Sequence, residues 1–159
     1  MKEPDRPEQS EELSLADAAD TLLGECRMVL PGIQALFGFQ LVVVFNPGFS
    51  EKLSAGDQRM HLVAISLVAI AVALIMTPAA LHRIAGAREV TETFIRTSSR
   101  LLLCSMLPLA AGICIDVYLI GFMIVGRGSG AALAGFLFLL FLVLWFVFPR
   151  THGFHRHTG

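Results

Sequence analysis

Glu25-Cys26-Arg27-Met28-Val29-Leu30-Pro31-Gly32-Ile33-Gln34-Ala35-Leu36-Phe37-Gly38-Phe39-Gln40 runs from charged residues straight into an apolar segment, and its reading decides the fold. At about 100 degrees per residue, Arg27, Pro31, Gln34 and Gly38 fall within roughly 60 degrees of one another, a polar and small stripe on a greasy helix. Such a stripe is expected to face protein rather than lipid. Pro31 has no amide to bond the carbonyl of Arg27, so a kink is expected there, with the freed carbonyl satisfied by a neighbour, a side chain or water. A flat helix over 13–29 followed by a span starting at Pro31 would cover only ~22 Å to Phe45, whereas one helix from Arg27 to Phe45 reaches ~28 Å of a ~30 Å hydrocarbon core. The sequence therefore reads as one kinked helix.

Four apolar runs recur along the 159 residues, roughly 28–45, 62–81, 101–125 and 129–148, each of a length that spans a bilayer. With 55% hydrophobic and 16% charged residues, the composition is that of a membrane protein. The expected fold is all-α, a four-transmembrane-helix bundle over 13–148, between a disordered cytoplasmic tail at 1–12 and a cytoplasmic tail at 149–159. The first 27 residues are polar and acidic and the first apolar run is full span length, so it reads as an uncleaved signal anchor. Lys2, Arg6, Arg27, Arg83, Arg88, Arg96, Arg100, Arg150 and Arg156 fall on one side of the four spans, and Lys52, Arg59 and Arg127 on the other. That imbalance places both termini in the cytoplasm. Cys26, Cys104 and Cys114 lie in or at the edge of apolar runs and have no disulfide or zinc spacing.

In chain order, Ser14 and Asp17 stand in capping-box spacing and predict a helix that feeds the first span, which Asn46-Pro47-Gly48 ends. Ser54 and Asp57 repeat the capping spacing before the second span, where Ala69 and Ala73 form a small-xxx-small pair. Arg88, Glu92, Arg96 and Arg100 follow at four-residue steps, so the third helix is expected to begin in the cytoplasm about three turns before the membrane. Within its span Ser105, Gly112 and Asp116 fall within ~40 degrees of each other, a counterpart to the stripe of the first helix. Gly126-Arg127-Gly128-Ser129-Gly130 reads as a tight outer turn, and the last span, apolar apart from the indole of Trp145, reads as an anchor.

The runs Leu30-Pro31-Gly32-Ile33-Gln34 and Pro78-Ala79-Ala80-Leu81-His82-Arg83, with Glu25-Cys26-Arg27 and Leu36-Phe37-Gly38-Phe39, resemble a family of small bacterial integral-membrane proteins classed as a domain of unknown function. The likeness covers roughly 20–125, with Leu81 where the family pattern has an aromatic residue. It implies a bacterial four-helix protein of the cell (inner) membrane and supplies no activity.

Asp116 is the one carboxylate well inside a span, ~6 to 9 Å from the outer boundary by helix rise. An acid at that depth costs a few kcal/mol unless neutral, paired or hydrated. It is either a proton or cation site or a structural bond to neighbouring helices, with Gln40, His61 or Arg59 at comparable depth as partners. Arg27 and Gln34 line a cytoplasmic vestibule or meet an anionic headgroup, the plainer alternative being an arginine that snorkels to the interface. Arg83, Arg88, Arg96 and Arg100 are expected to contact anionic lipid on the cytoplasmic side. His152, His155 and His157 are most simply solvated or at the headgroups. Hydrolase, metalloprotease and nucleotide fingerprints are absent from the sequence, and the basic residues alternate with acids beside the membrane, so neither an enzyme, a cofactor nor a nucleic-acid partner is expected. The sequence reads as a structural or interaction module of the bacterial inner membrane, or else as a subunit of a proton- or cation-coupled transporter or channel using Asp116. Transport by four helices requires a homo-oligomer, for which Gly126-x-x-x-Gly130 and Ala131-x-x-x-Gly135 offer a surface.

Overall fold

The computed structural model describes residues 7–85 and 91–149. Five α-helices follow in order: α1 (Pro7–Val44), α2 (Pro47–Lys52), α3 (Ala55–Ala85), α4 (Glu92–Val125) and α5 (Arg127–Leu142), the last running on through a wider π-type turn at Val143–Val147. α1, α3, α4 and α5 with its extension are each long and apolar enough to cross a membrane. The fold is thus an all-α bundle of four membrane-length helices, with α2 as a short addition between the first two.

α1 continues through Pro31 as one helix and starts at Pro7 rather than near Ser14. Proline suits a first helical position, where the missing amide has no intrahelical partner in any case. Residues 7–12, expected as disordered, are therefore helical, while 1–6 lie outside the described residues. At the far end Asn46 caps α2 by accepting from the amide of Gly48 at 3.0 Å. The Ser54–Asp57 capping pair forms: the Ser54 amide donates to Asp57 Oδ2 at 3.1 Å, and the Asp57 amide donates back to Ser54 Oγ at 3.3 Å.

A seven-residue step organises the core. Ala19, Cys26, Ile33 and Gln40 are buried on α1; Ala64, Ala71 and Pro78, with His61, Val68 and Ile75, on α3; and Ser98, Ser105, Gly112 and Leu119 on α4. A strict seven-residue repeat keeps one seam of each helix against its neighbour and is the pattern of left-handed helix packing. α3 and α4 approach so closely at Gly112 that a Cβ there would stand 2.9 Å from Val68 Cγ2 and 3.1 Å from the Ala64 carbonyl. α1 packs chiefly on α3, around Leu22, Cys26, Ile33, Val68, Ala71 and Ile75.

This seam corrects three expectations. Arg27, Pro31, Gln34 and Gly38 are all exposed, and a Cβ on Gly38 would meet nothing within 4 Å, so the polar stripe of α1 faces away from the bundle. It sits about a third of a turn round from the buried face, because the larger apolar area of Leu22, Leu23, Ile33 and Phe37 takes the core position. Ala69 and Ala73 also face outward, and the close approach is made at Ala64 and Val68 against Gly112. Finally, the glycine-rich turn contracts to one residue: Gly126, at φ 92°, reverses the chain, and Arg127 already opens α5. Gly130 is then spent inside the molecule, its Cα 3.0 Å from where a Cβ of Gly121 would stand.

Candidate functional site

Near the Asn46–Gly126 end, three helices each contribute one polar side chain to a common point. Gln40 lies one turn before the end of α1, His61 ~9 Å along α3 from its start, and Asp116 ~13 Å before the end of α4. Gln40 and His61 occupy the buried seams of their helices, and Asp116 stands four residues beyond Gly112 on the α4 face that packs against α3. The heptad register that builds the core thus also converges these groups.

Their bonds close a ring. Gln40 Nε2 donates to Asp116 Oδ2 at 2.5 Å, His61 Nδ1 lies 3.1 Å from Asp116 Oδ1, and His61 Nε2 lies 3.0 Å from the backbone carbonyl of Gln40. A carbonyl oxygen only accepts, so Nε2 carries a hydrogen. The Nδ1–Oδ1 contact then needs one more proton, on either atom, since two lone pairs at that distance would repel. Phe49 of α2 covers the imidazole edge-on, with ring centroids 5.3 Å apart. The side chains of His61 and Asp116 retain 7% and 16% of their exposure. Gln40 Oε1 in the cluster is buried and accepts no hydrogen bond among the described residues.

A cavity of about 210 Å³ adjoins the cluster, with Gln40, His61 and Asp116 as its polar lining. The remaining walls are apolar, from Leu36, Phe39 and Val43 of α1, Phe49 and Leu53 at α2, and Leu119, Ile120 and Met123 of α4. Phe39, Val43, Ile120 and Met123 are exposed on the bundle surface, so the cavity opens sideways between α1 and α4.

Of the residues singled out in the sequence, Asp116, Gln40 and His61 are brought together, while Arg59 is exposed and makes no ion pair among the described residues. Arg27 and Gln34 lie elsewhere on α1, both exposed. Arg83, Arg96 and Arg100 are exposed; Arg88, His152, His155 and His157 lie outside the described residues. Arg100 borders a groove of about 370 Å³ with Leu103, Leu107, Trp145 and Phe146. Phe49 and Leu53 had no place in the sequence reading, although their four-residue spacing in a short polar stretch marks one helical face. Among the described residues no three His, Cys, Asp or Glu side chains are placed to hold a metal. Arg127 lies 3.9 Å from Asp57 and over the ring of Phe122, an exposed guanidinium beside a buried carboxylate at the chain reversal.

Neither a curated protein nor a solved structure matches the chain. A family match spans residues 9–149, nearly the whole of the sequence and all three residues of the cluster: the chain belongs to the family of unknown function DUF6328.

Proposed function

We propose that the protein is a structural or interaction module of the bacterial inner membrane, and that the surface it docks with is the outward stripe of α1. The observation that carries this reading is Gln34, an amide in the middle of a membrane-length apolar helix, exposed and without a hydrogen bond among the described residues. An amide facing hydrocarbon unpaired costs several kcal/mol, so it calls for a partner within the membrane. Glutamine both donates and accepts. A second copy of the chain related by a two-fold axis would therefore satisfy it with its own Gln34, and Gly38 one turn away leaves room for close approach. Arg27, at the polar end of the stripe, reaches the headgroups in this arrangement.

The test is subunit counting by single-molecule photobleaching in lipid vesicles at graded protein-to-lipid ratios. Dimers that weaken about tenfold with Gln34→Leu, while a lipid-facing Phe39→Leu leaves them intact, support the reading. A wild type that stays monomeric at every ratio overturns it. Gly126 and Gly130 do not make the contact in this reading, since the chain reversal and the α4–α5 approach use them. In the same reading Arg83, Arg88, Arg96 and Arg100 hold anionic lipid on the cytoplasmic side, Arg100 at the mouth of its apolar groove.

A second reading, the subunit of a proton- or cation-coupled transporter, draws on the single proton between His61 and Asp116. Both oxygens of Asp116 are already engaged, which favours the structural role. Proton, sodium or potassium flux in proteoliposomes that Asp116→Asn abolishes would reverse that order.

A further inference from the structure

At the end of the bundle away from the polar cluster, a groove of about 370 Å³ runs between α4 and the π-type end of α5. Arg100, Leu103, Cys104 and Leu107 form its α4 wall, at the three- and four-residue steps of one helical face. Trp145, Phe146 and Pro149 form the other wall. Trp145 and Phe146 both belong to the wider turn at Val143–Val147, and such turns inside helices are frequent at functional sites.

Position along the helices orders the chemistry. By helix rise, Arg100 stands ~39 Å from the Gly126 reversal and Leu107 and Trp145 both ~29 Å, against ~30 Å of hydrocarbon and ~40 to 45 Å with the headgroup layers. The guanidinium is therefore level with the lipid heads, and the apolar walls reach down among the chains. Arg100 is exposed and makes neither a hydrogen bond nor an ion pair among the described residues.

Charge selects the occupant. No carboxylate lines the groove beside Arg100 among the described residues. Residues 150–159, which follow Pro149, hold two arginines and three histidines and no Asp or Glu, so the adjoining sequence adds positive charge instead of neutralising it. A phosphodiester brings one negative charge and accepts two parallel N–H bonds from a guanidinium. A zwitterionic head would set a second cation beside the first. Since ~150 Å³ accepts a benzene ring, about 370 Å³ takes a length of acyl chain and not a whole lipid.

We infer that this groove is a binding site for one singly charged phospholipid of the phosphatidylglycerol type, its phosphate on Arg100 and part of a chain against Leu103, Leu107, Trp145 and Phe146. The inference deepens the reading that Arg100 meets anionic lipid, on which it rests, by setting one built groove apart from the general attraction shared with Arg83, Arg88 and Arg96. It is independent of self-association through Gln34.

The sequence holds one tryptophan, and it lines the groove, so the full chain carries its own reporter. Brominated acyl chains quench an indole on contact. Protein in phosphatidylcholine vesicles is titrated with phosphatidylglycerol or phosphatidylcholine carrying the same brominated chains. The expected result is saturable quenching of Trp145 with an about fivefold preference for phosphatidylglycerol, lost in Arg100→Gln and kept in Arg96→Gln. Should Arg100→Gln fail to fold, Cys104→Phe, which fills the groove from α4, is expected to remove the preference. Phosphatidylglycerol retained by the protein in native mass spectrometry reads the general attraction separately. Retention without a preference at Trp145, a preference lowered equally by Arg100→Gln and Arg96→Gln, or one undiminished by Cys104→Phe would overturn the groove and leave the general attraction standing. Neither retention nor preference would overturn both. Quenching by neither lipid, as a second copy seated in the groove would produce, also overturns the site.

Discussion

Nδ1 of His61 on α3 stands 3.1 Å from Oδ1 of Asp116 on α4, and one proton between them makes the contact a bond rather than a repulsion. Gln40 on α1 fastens the other carboxylate oxygen, so residues 76 positions apart in the chain meet in one cluster. α1, which packs only lightly on α4 elsewhere, is thereby tied to both of its neighbours.

Substitutions at Asp116 test this tie. In Asp116→Asn the amide can donate to His61 Nδ1 while its carbonyl accepts from Gln40 Nε2, so stability in detergent should stay near the parent. Asp116→Leu strands both partners and should cost on the order of 1 to 3 kcal/mol or more in thermal or denaturant unfolding. If Asn destabilises as much as Leu, the bonds are not what the carboxylate contributes.

Close helix approach gives a second contrast. Gly112→Ala puts a methyl 2.9 Å from Val68 Cγ2 and 3.1 Å from the Ala64 carbonyl, and should destabilise by about 1–3 kcal/mol. Gly130→Ala meets the backbone nitrogen of Phe122 at 2.6 Å and should be worse, because backbone yields less than a side chain. Gly38→Ala meets nothing and should leave the monomer unchanged or up to about 1 kcal/mol more stable through better helix propensity. Thermal unfolding of the three variants in one detergent reads the order directly.

Ser98 is fully buried on the seam of α4, and its hydroxyl makes no hydrogen bond among the described residues. Ser98→Ala should therefore be neutral or stabilising, whereas Ser105→Ala loses a bond to the Leu102 carbonyl and should cost about 1 kcal/mol. A loss at Ser98 equal to that at Ser105 would contradict the unpaired assignment.

Orientation is tested by labelling. In a background without Cys26, Cys104 and Cys114, a cysteine at position 52 or 127 should react with an impermeant reagent from outside, and one at position 96 only from the cytoplasm. Labelling of position 52 from the cytoplasmic face alone would invert the topology.

The four membrane-length helices were legible in the sequence because lipid demands continuous apolar runs with their backbone bonds satisfied internally, and run length alone reports that. The cap at Ser54 was legible for a similar reason, being bonds between residues three apart. Asp116 could be singled out as needing a partner, and Gln40 and His61 named among its possible ones, from depth alone. What sequence could not rank was which face of α1 goes inward. Polar and small residues at a helix surface suit either an interior or an intermolecular contact, and the choice falls to whichever face packs more area. Only the tertiary structure decided that Ala19, Cys26, Ile33 and Gln40 take the seam while Gln34 and Gly38 stay outside. It likewise decided that Gly130 serves α4 rather than a second subunit, since the approach of two helices depends on where Gly126 reverses the chain. The cavity beside Gln40 belongs wholly to that level, because a void is set by the angle at which three helices and the short α2 meet and has no residue pattern of its own.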